Sequence, residues 1–497
     1  MRSRRPPRRL TDKMSRFQLS GSFEHAAGEL ELLPFRFERL PGDEFIVSNM
    51  VGDMAFFSGP EVRRIAALDL APGDDLYARA FEKLLVRRKG QRAPMQLLAL
   101  RLRSRMAFLQ SPTQLHILVV TLRCEHSCPY CQVSRRSADR ERYDMPLATA
   151  MRAVDVALSS PSHYIKLEFQ GGEPLLNFDL IRAVVPLAKE RAQAAGKEVE
   201  FVITSNLALL TDDVLGFCKT HSVLLSTSLD GPADLHNKNR PRPGGNSHQL
   251  ATEGIRRAQA VLGNEGVGAL MTSTQASLGR VEEIVDEYLR LDLDGIFLRP
   301  LSPYGFAVKT KQFFKYDSRT WLDFYERGLR YVLKINREGR HFPEFYAALL
   351  MRRMLTDRPP GYVDLRSPAG IGLGALVYNY DGKVFASDEG RMLAEMGDRT
   401  FELGDLETET YSSLILSDKL VDLVAKSLTQ CAPQCSSCAF EPHCGADPVY
   451  HHATQRDPVG IKPLSEFCAR QKGIMTLLTR LLEESPDDAA VLRRWAA

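Results

Sequence analysis

Between residues 115 and 301 short apolar runs recur in a steady rhythm. "LHILVVTL" (115–122), "YIKLEFQ" (164–170), "VEFVITSN" (199–206), "VLLSTSLD" (223–230), "VGALMTST" (267–274) and "GIFLRPL" (295–301) are β-branched or apolar and bounded by turn residues. They predict six strands. Among the segments between them, "PLATAMRAVDVALSS", "NFDLIRAVVPLAKERAQAAG" and "RVEEIVDEYLRL" space their apolar residues as helices do, the first two behind a Pro or Asn start signal. Alternation of this kind implies parallel strands joined by crossovers, hence an α/β fold, either an open doubly wound sheet or a barrel.

The residues that follow these runs are of a chemical kind. Three cysteines follow the first, "GGEP" the second, "TSN" closes the third, "SLDGP" the fourth, "TSTQ" the fifth and "RPLSP" the sixth. In an α/β barrel the loops at the C-terminal strand ends converge over one mouth, which is where chemistry collects.

The chain has nine cysteines, placed unevenly. Cys218, in "VLGFCKT", reads as a buried small hydrophobe. Cys124, Cys128 and Cys131 stand together in "CEHSCPYC", and Cys431, Cys435, Cys438, Cys444 and Cys468 lie near the other end. In a reducing compartment such groups point to metal ligands rather than disulfides. A structural zinc site takes four protein ligands, and here it would need His126, which lies inside the loop between two thiols. A [4Fe-4S] cluster held by three thiolates instead leaves one iron open to another molecule.

C-x3-C-x-aromatic-C after a first strand, with "FQGGEP" at the end of the next, resembles the radical S-adenosylmethionine (SAM) enzymes. The resemblance implies a partial (β/α)6 TIM barrel, a SAM-binding [4Fe-4S] cluster on Cys124, Cys128 and Cys131, and S-adenosylmethionine itself as cofactor. It further implies that Tyr130 lies beside the adenine and that Gly171, Gly172 and Glu173 meet the SAM amino group. Ser205, Asn206, Ser228, Asp230 and Arg240 fall where relatives contact SAM. These five also have plain structural readings: Asp230-Gly231-Pro232 is a turn sequence, and Arg240 could simply pair with Asp234.

Cys435, Cys438, Cys444 and the distant Cys468 resemble the SPASM extension of peptide-modifying radical SAM proteins, which implies one auxiliary [4Fe-4S] cluster. A zinc site closed by four cysteines fits that spacing nearly as well. A full SPASM domain holds two clusters, but this chain has no cysteine in "RSPAGIGLG", Ser387 where one would end the "YNYDGKVFASDEG" hairpin and Pro448 where another would fall. The first auxiliary cluster is therefore expected to be missing, and Cys431 is left over. Asp388, beside the vacated position, is a candidate catalytic base, although a carboxylate at a hairpin end is also an ordinary turn residue. "GIGLG" opens a strand rather than a helix, so it is no nucleotide fingerprint.

Residues 1–29 read as a basic solvated tail, and 30–100 as a small module of three strands and a helix opening at "SGPEV". "VRRKGQRAPMQLLALRLRSRM" reads as a basic helical connector. Boundaries are expected at 113–310 for the barrel, 311–362 for a helical connector, 363–475 for the SPASM-like domain and 476–497 for a C-terminal helix. The N-terminal module resembles the PqqD/RRE-like peptide-recognition element of peptide maturases, and the whole order resembles the His-Xaa-Ser system radical SAM maturases. That implies a ribosomally made precursor peptide as substrate, an electron donor such as flavodoxin or ferredoxin, and a possible second maturase as partner. A sulfatase-maturase-like protein oxidase and a non-catalytic peptide-presenting Fe-S protein are the alternatives.

A formal net charge of +3 over 497 residues gives no field suited to nucleic acid. No apolar run reaches the roughly 18 residues of a membrane span, and no signal-peptide apolar region opens the chain, so a cytoplasmic location without a membrane partner is expected.

Overall fold

The computed structural model describes residues 29–110, 112–358 and 361–496; the arginine-rich opening lies outside the described residues. The chain divides into two units, residues 1–99 and 100–497.

In the first unit, strands β1 (Leu30–Leu32) and β5 (Val86–Arg88) pair antiparallel, and β2 (Phe35–Leu40), β3 (Glu44–Asn49) and β4 (Met54–Ser58) form an antiparallel meander. The β2–β3 turn needs Gly42 at φ +85°. The predicted helix opens at Ser58, whose hydroxyl accepts from the Glu61 N–H while the Glu61 carboxylate accepts from the Ser58 N–H at 2.7 Å. This capping box satisfies donors that the first turn leaves orphaned. Val47, Phe57, Ile65, Ala80 and Leu85 form the core between meander and helices. The basic connector begins as β5 and becomes helical only at Ala93.

In the second unit all six predicted strands are present: β6 (Leu115–Thr121), β7 (Tyr164–Gly171), β8 (Glu198–Thr204), β9 (Val223–Ser228), β10 (Val267–Thr272) and β11 (Leu298–Arg299). They pair in sequence order and in parallel. β11 is shorter than "GIFLRPL" predicts. Ile296 instead bridges to Glu344, whose buried carboxylate accepts the Leu298 N–H at 3.0 Å.

The sheet does not stop at β6. β12 (Ala375–Tyr378) lies beside it in parallel, Ala375 opposite Leu115, followed by antiparallel β13 (Lys383–Phe385) and β14 (Glu402–Asp405), which makes nine strands. The hairpin around Asp381-Gly382 thus extends the barrel sheet. Buried His116 on β6 contributes to the join: Nδ1 lies 2.8 Å from the Tyr378 hydroxyl and Nε2 3.2 Å from the Thr113 carbonyl.

Helices Ser318–Arg337 and Phe345–Leu355 fill the expected connector. The C-terminal end is two helices, Glu466–Glu484 and Pro486–Ala496, where one was expected over 476–497. No helix of the described residues is long and apolar enough to cross a membrane.

Candidate active site

A cavity of about 400 Å³ lies over the C-terminal ends of β7 to β11. Cys124, Cys128 and Cys131 line one side of it, on the loop that leaves β6. The loop is pinned by the Ser127 N–H to the Pro241 carbonyl (2.7 Å) and the Cys131 N–H to the Cys128 carbonyl (3.2 Å). Burial raises the Cys124 thiol and pushes Cys128 up to about 12, with Arg240 opposing the rise at Cys128. Both therefore stay protonated at neutral pH until a metal displaces the proton.

The end of β7 is pressed against the root of this loop. A Cβ on Gly171, at φ +153°, would lie 2.0 Å from the Thr121 carbonyl oxygen, and one on Gly172 would lie 2.1 Å from that of Arg123. Only glycines permit this approach. Their backbone lines the cavity, while Glu173 is fully buried and lies behind the wall. Its carboxylate accepts from the Ser205 hydroxyl (2.8 Å) and from the N–H groups of Leu175 (3.0 Å) and Asn206 (2.8 Å). Burial, with Glu125 adding repulsion, raises it to about 7. The arrangement makes Glu173 a residue that positions Ser205 and Asn206, both of which line the cavity.

The ligand atoms of Cys124, Glu125 and His126 lie within 4.8 Å of one another. Glu125 accepts from Asn206 Nδ2 at 2.8 Å, and His126 Nδ1 lies 3.0 Å from Glu125 Oε1. That hydrogen-bonded cluster brings the carboxylate and imidazole together without a metal.

Asp230 organises the opposite wall. Its buried carboxylate accepts from the Tyr130 hydroxyl, from Arg240 Nε (3.1 Å) and Nη2 (3.3 Å) and from the Thr272 N–H (3.3 Å). The Arg240 guanidinium lies 5.4 Å from the centre of the Tyr130 ring. The sequence-level pairing of Arg240 with Asp234 is thereby corrected: Asp234 pairs with Arg280 at 2.6 Å. Ser228 lines the cavity beside Thr227, a buried residue whose hydroxyl has no hydrogen-bond partner.

The C-terminal region supplies the remaining side. Ser387 caps the helix Asp388–Ala394, accepting from the Gly390 N–H at 3.0 Å, and Pro448 opens the helix Pro448–Gln455. Both line the cavity, as does Asp388. Asp388 is held by Arg391 at 3.0 Å, and Arg391 in turn donates to the Val133 carbonyl at 3.0 Å. Among the charged lining residues, Glu168, Arg299, Asp364, Glu389 and Asp447 were not assigned from the sequence. Arg299 had a signal, being the last residue of β11, and Glu389 adjoins Asp388. Asp364 and Asp447 had none.

Cys435, Cys438 and Cys468 lie near enough to Cys444 for their charges to act on it. Burial raises the Cys444 thiol and Cys468, Cys438 and Cys435 raise it further, while Lys462 opposes. Cys468 sits in the first turn of the helix Glu466–Glu484, its N–H bonded to the Ser465 hydroxyl at 3.2 Å. Cys431 is exposed, and Cys218 is fully buried as expected.

Residues 118–297 match the family described as the Radical SAM superfamily. This segment is a radical SAM core. The chain is 28% identical over 188 residues to an uncharacterized protein of Methanocaldococcus jannaschii, across 38% of this chain and 62% of that one. It therefore spans less than two thirds of that relative's length. Among solved structures, anSMEcpe with bound AdoMet and Kp18Cys peptide is similar at 16% identity and TM-score 0.61, over 76% of this chain and 99% of that one. Streptococcus suis SuiB bound to precursor peptide SuiA is similar at 15% identity and TM-score 0.52, over 87% and 98%. At these identities the likeness is one of fold.

Proposed function

We propose that this protein is a radical SAM enzyme that modifies a ribosomally made precursor peptide, with HxsB, the His-Xaa-Ser system maturase, as the nearest type. One observation carries the reading: three thiols of a single loop line a cavity in which, among the described residues, no fourth cysteine takes part. That donor set fits a [4Fe-4S] cluster with one iron left open. When bound, the cluster supplies the electron that splits SAM into methionine and a 5′-deoxyadenosyl radical able to take a substrate hydrogen.

The chain's own residues bind and orient. Cys124, Cys128 and Cys131 hold the cluster. Gly171 and Gly172 offer backbone to the SAM amino group, and Glu173 keeps Ser205 and Asn206 at the wall. Asp230 fixes Tyr130 and Arg240 against the adenine end, with Ser228 beside them. Asp388 is the candidate proton acceptor. Cys435, Cys438, Cys444 and Cys468 form a four-thiol set that fits one auxiliary [4Fe-4S] cluster.

A peptide substrate is supported by the two structural relatives, anSMEcpe with bound Kp18Cys peptide and SuiB bound to precursor peptide SuiA. The N-terminal unit, with β2 and β4 as edge strands, suits capture of a leader segment by strand addition. Flavodoxin or ferredoxin is the proposed electron donor, a second maturase a possible partner of the system, and the cytoplasm the proposed location. Anaerobic reconstitution tests the reading: about eight irons per chain and 5′-deoxyadenosine from SAM are expected. A preparation that takes up only zinc and releases no 5′-deoxyadenosine overturns it.

A further inference from the structure

A recess of about 100 Å³ continues the cavity toward Tyr304 and Trp321. Arg299, Asp364, Glu389 and Asp447 line both spaces. The three carboxylates come from separate segments: the turn Val363–Leu365, the first turn of the helix Asp388–Ala394, and the cap of the helix Pro448–Gln455. All three are half-buried and line the recess. None of the three has an ion-pair partner within 4.0 Å among the described residues.

Two guanidiniums stand against them. Arg299 offsets one charge, drawing chiefly on Asp364 and Glu389 among the carboxylates. Arg470 also lines the recess and acts on Asp447, while its Nη1 lies 3.3 Å from the Ser318 hydroxyl and its guanidinium 5.3 Å from the Tyr450 ring centre. Three carboxylates against these two guanidiniums leave one negative charge over among the lining residues, with Arg366 and Lys462 acting on Asp364 and Asp447 from outside the recess. Burial and mutual repulsion hold Glu389 at about 8 and Asp447 at about 7, a strain that a bound cation relieves.

A second observation points to a ligand. Tyr304 is 1% exposed, its hydroxyl has no hydrogen-bond partner among the described residues, and the charges it feels most are Asp447 and Glu389. A buried hydroxyl left unpaired is costly unless a guest completes it. Trp321 and Tyr362 add aromatic walls, and carboxylates framed by aromatic rings are suited to organic cations.

We propose that this recess seats a cationic side chain of the substrate, an ammonium, guanidinium or imidazolium group, beside the residue to be modified. The assignment rests on the peptide-modifying reading above and narrows its substrate class. Glu389 and Asp447 take the charge, and the Tyr304 hydroxyl completes the hydrogen bonding.

The test titrates the full chain with methylguanidinium and with acetamide, following tryptophan emission, since Trp321 lines the recess and only Trp495 accompanies it. Methylguanidinium is expected to give a saturable change and acetamide none. Glu389→Gln should raise the methylguanidinium Kd at least tenfold. Asp447→Asn, which retains a capping side chain, should do the same, with thermal melts verifying that both variants fold. An equal response to acetamide overturns the proposal, as do unchanged Kd values in both variants or competition by Mg2+ at lower concentration than methylguanidinium. 5′-Deoxyadenosine release is measured alongside. Cation binding without SAM cleavage supports the recess and overturns the enzyme reading, whereas SAM cleavage without cation binding overturns the recess alone.

Discussion

The two cysteine groups differ in how the chain delivers them. Cys124, Cys128 and Cys131 come from one loop and face a cavity, with glycine backbone and polar strand ends across from them. Cys435, Cys438 and Cys444 come from one irregular stretch and are joined by Cys468 from a helix 24 residues later. In the proposed reading the second set would close on itself, and the first would leave a coordination position facing the cavity. A closed set is suited to holding structure, and an open one to binding a reactant.

The largest expected effect breaks the open site. Cys128→Ala should lower 5′-deoxyadenosine release at least about a thousandfold and iron from about eight to about four per chain, because two thiolates do not hold the cluster. The melting temperature should change little, since the loop lies on a cavity wall. Retained SAM cleavage would dissolve the distinction between the two sites.

Cys444→Ala sharpens the contrast from the other side. It should also remove about four irons, yet lower the melting temperature by several degrees, because metal ligation there is coupled to folding. SAM cleavage should stay within about tenfold of the native chain. A preparation with one zinc per chain at this site would keep the closure but change the metal.

A smaller effect is expected where the cavity wall is organised by charge. Asp230→Asn leaves Arg240 without its carboxylate and should cost about 3 kcal/mol of stability by denaturant unfolding. SAM affinity should fall about tenfold or more in equilibrium dialysis.

The smallest effect concerns the join of the two halves of the sheet. Burial lowers His116 to about 3 from an ordinary value near 6.5. Between those values the unfolded chain binds the proton and the folded chain does not, so stability is full above about pH 6.5 and is lost as pH falls. This residue should contribute a loss of about 2 kcal/mol between pH 7 and pH 5. His116→Asn should be less stable at pH 7 but show a shallower decline on acidification. An unchanged slope would remove His116 as its source.

Much of the core was legible because local patterns specify it. Six strands with parallel order follow from alternating apolar runs, and Cys124, Cys128 and Cys131 follow from spacing within eight residues. β12 was legible as a strand but not as the neighbour of β6, because its partner lies some 260 residues away and only burial against Leu115 to Leu118 selects it. Glu173 was recognised by its motif, but its bonds to Ser205 and Asn206 were not, since a motif carries no direction for a side chain. Asp364 and Asp447 were invisible: each is one acidic residue in a polar turn until the fold sets both beside Glu389.

By itself, then, the sequence determined the α/β alternation, the two thiol groups and the glycines at the end of β7, all of which depend on neighbours within a few residues. Tertiary structure alone decided which carboxylates face one another, which arginines remain to offset them, and how the C-terminal hairpin extends the barrel. Coulomb interaction and burial depend on distance through space, and a linear order of residues does not contain that distance.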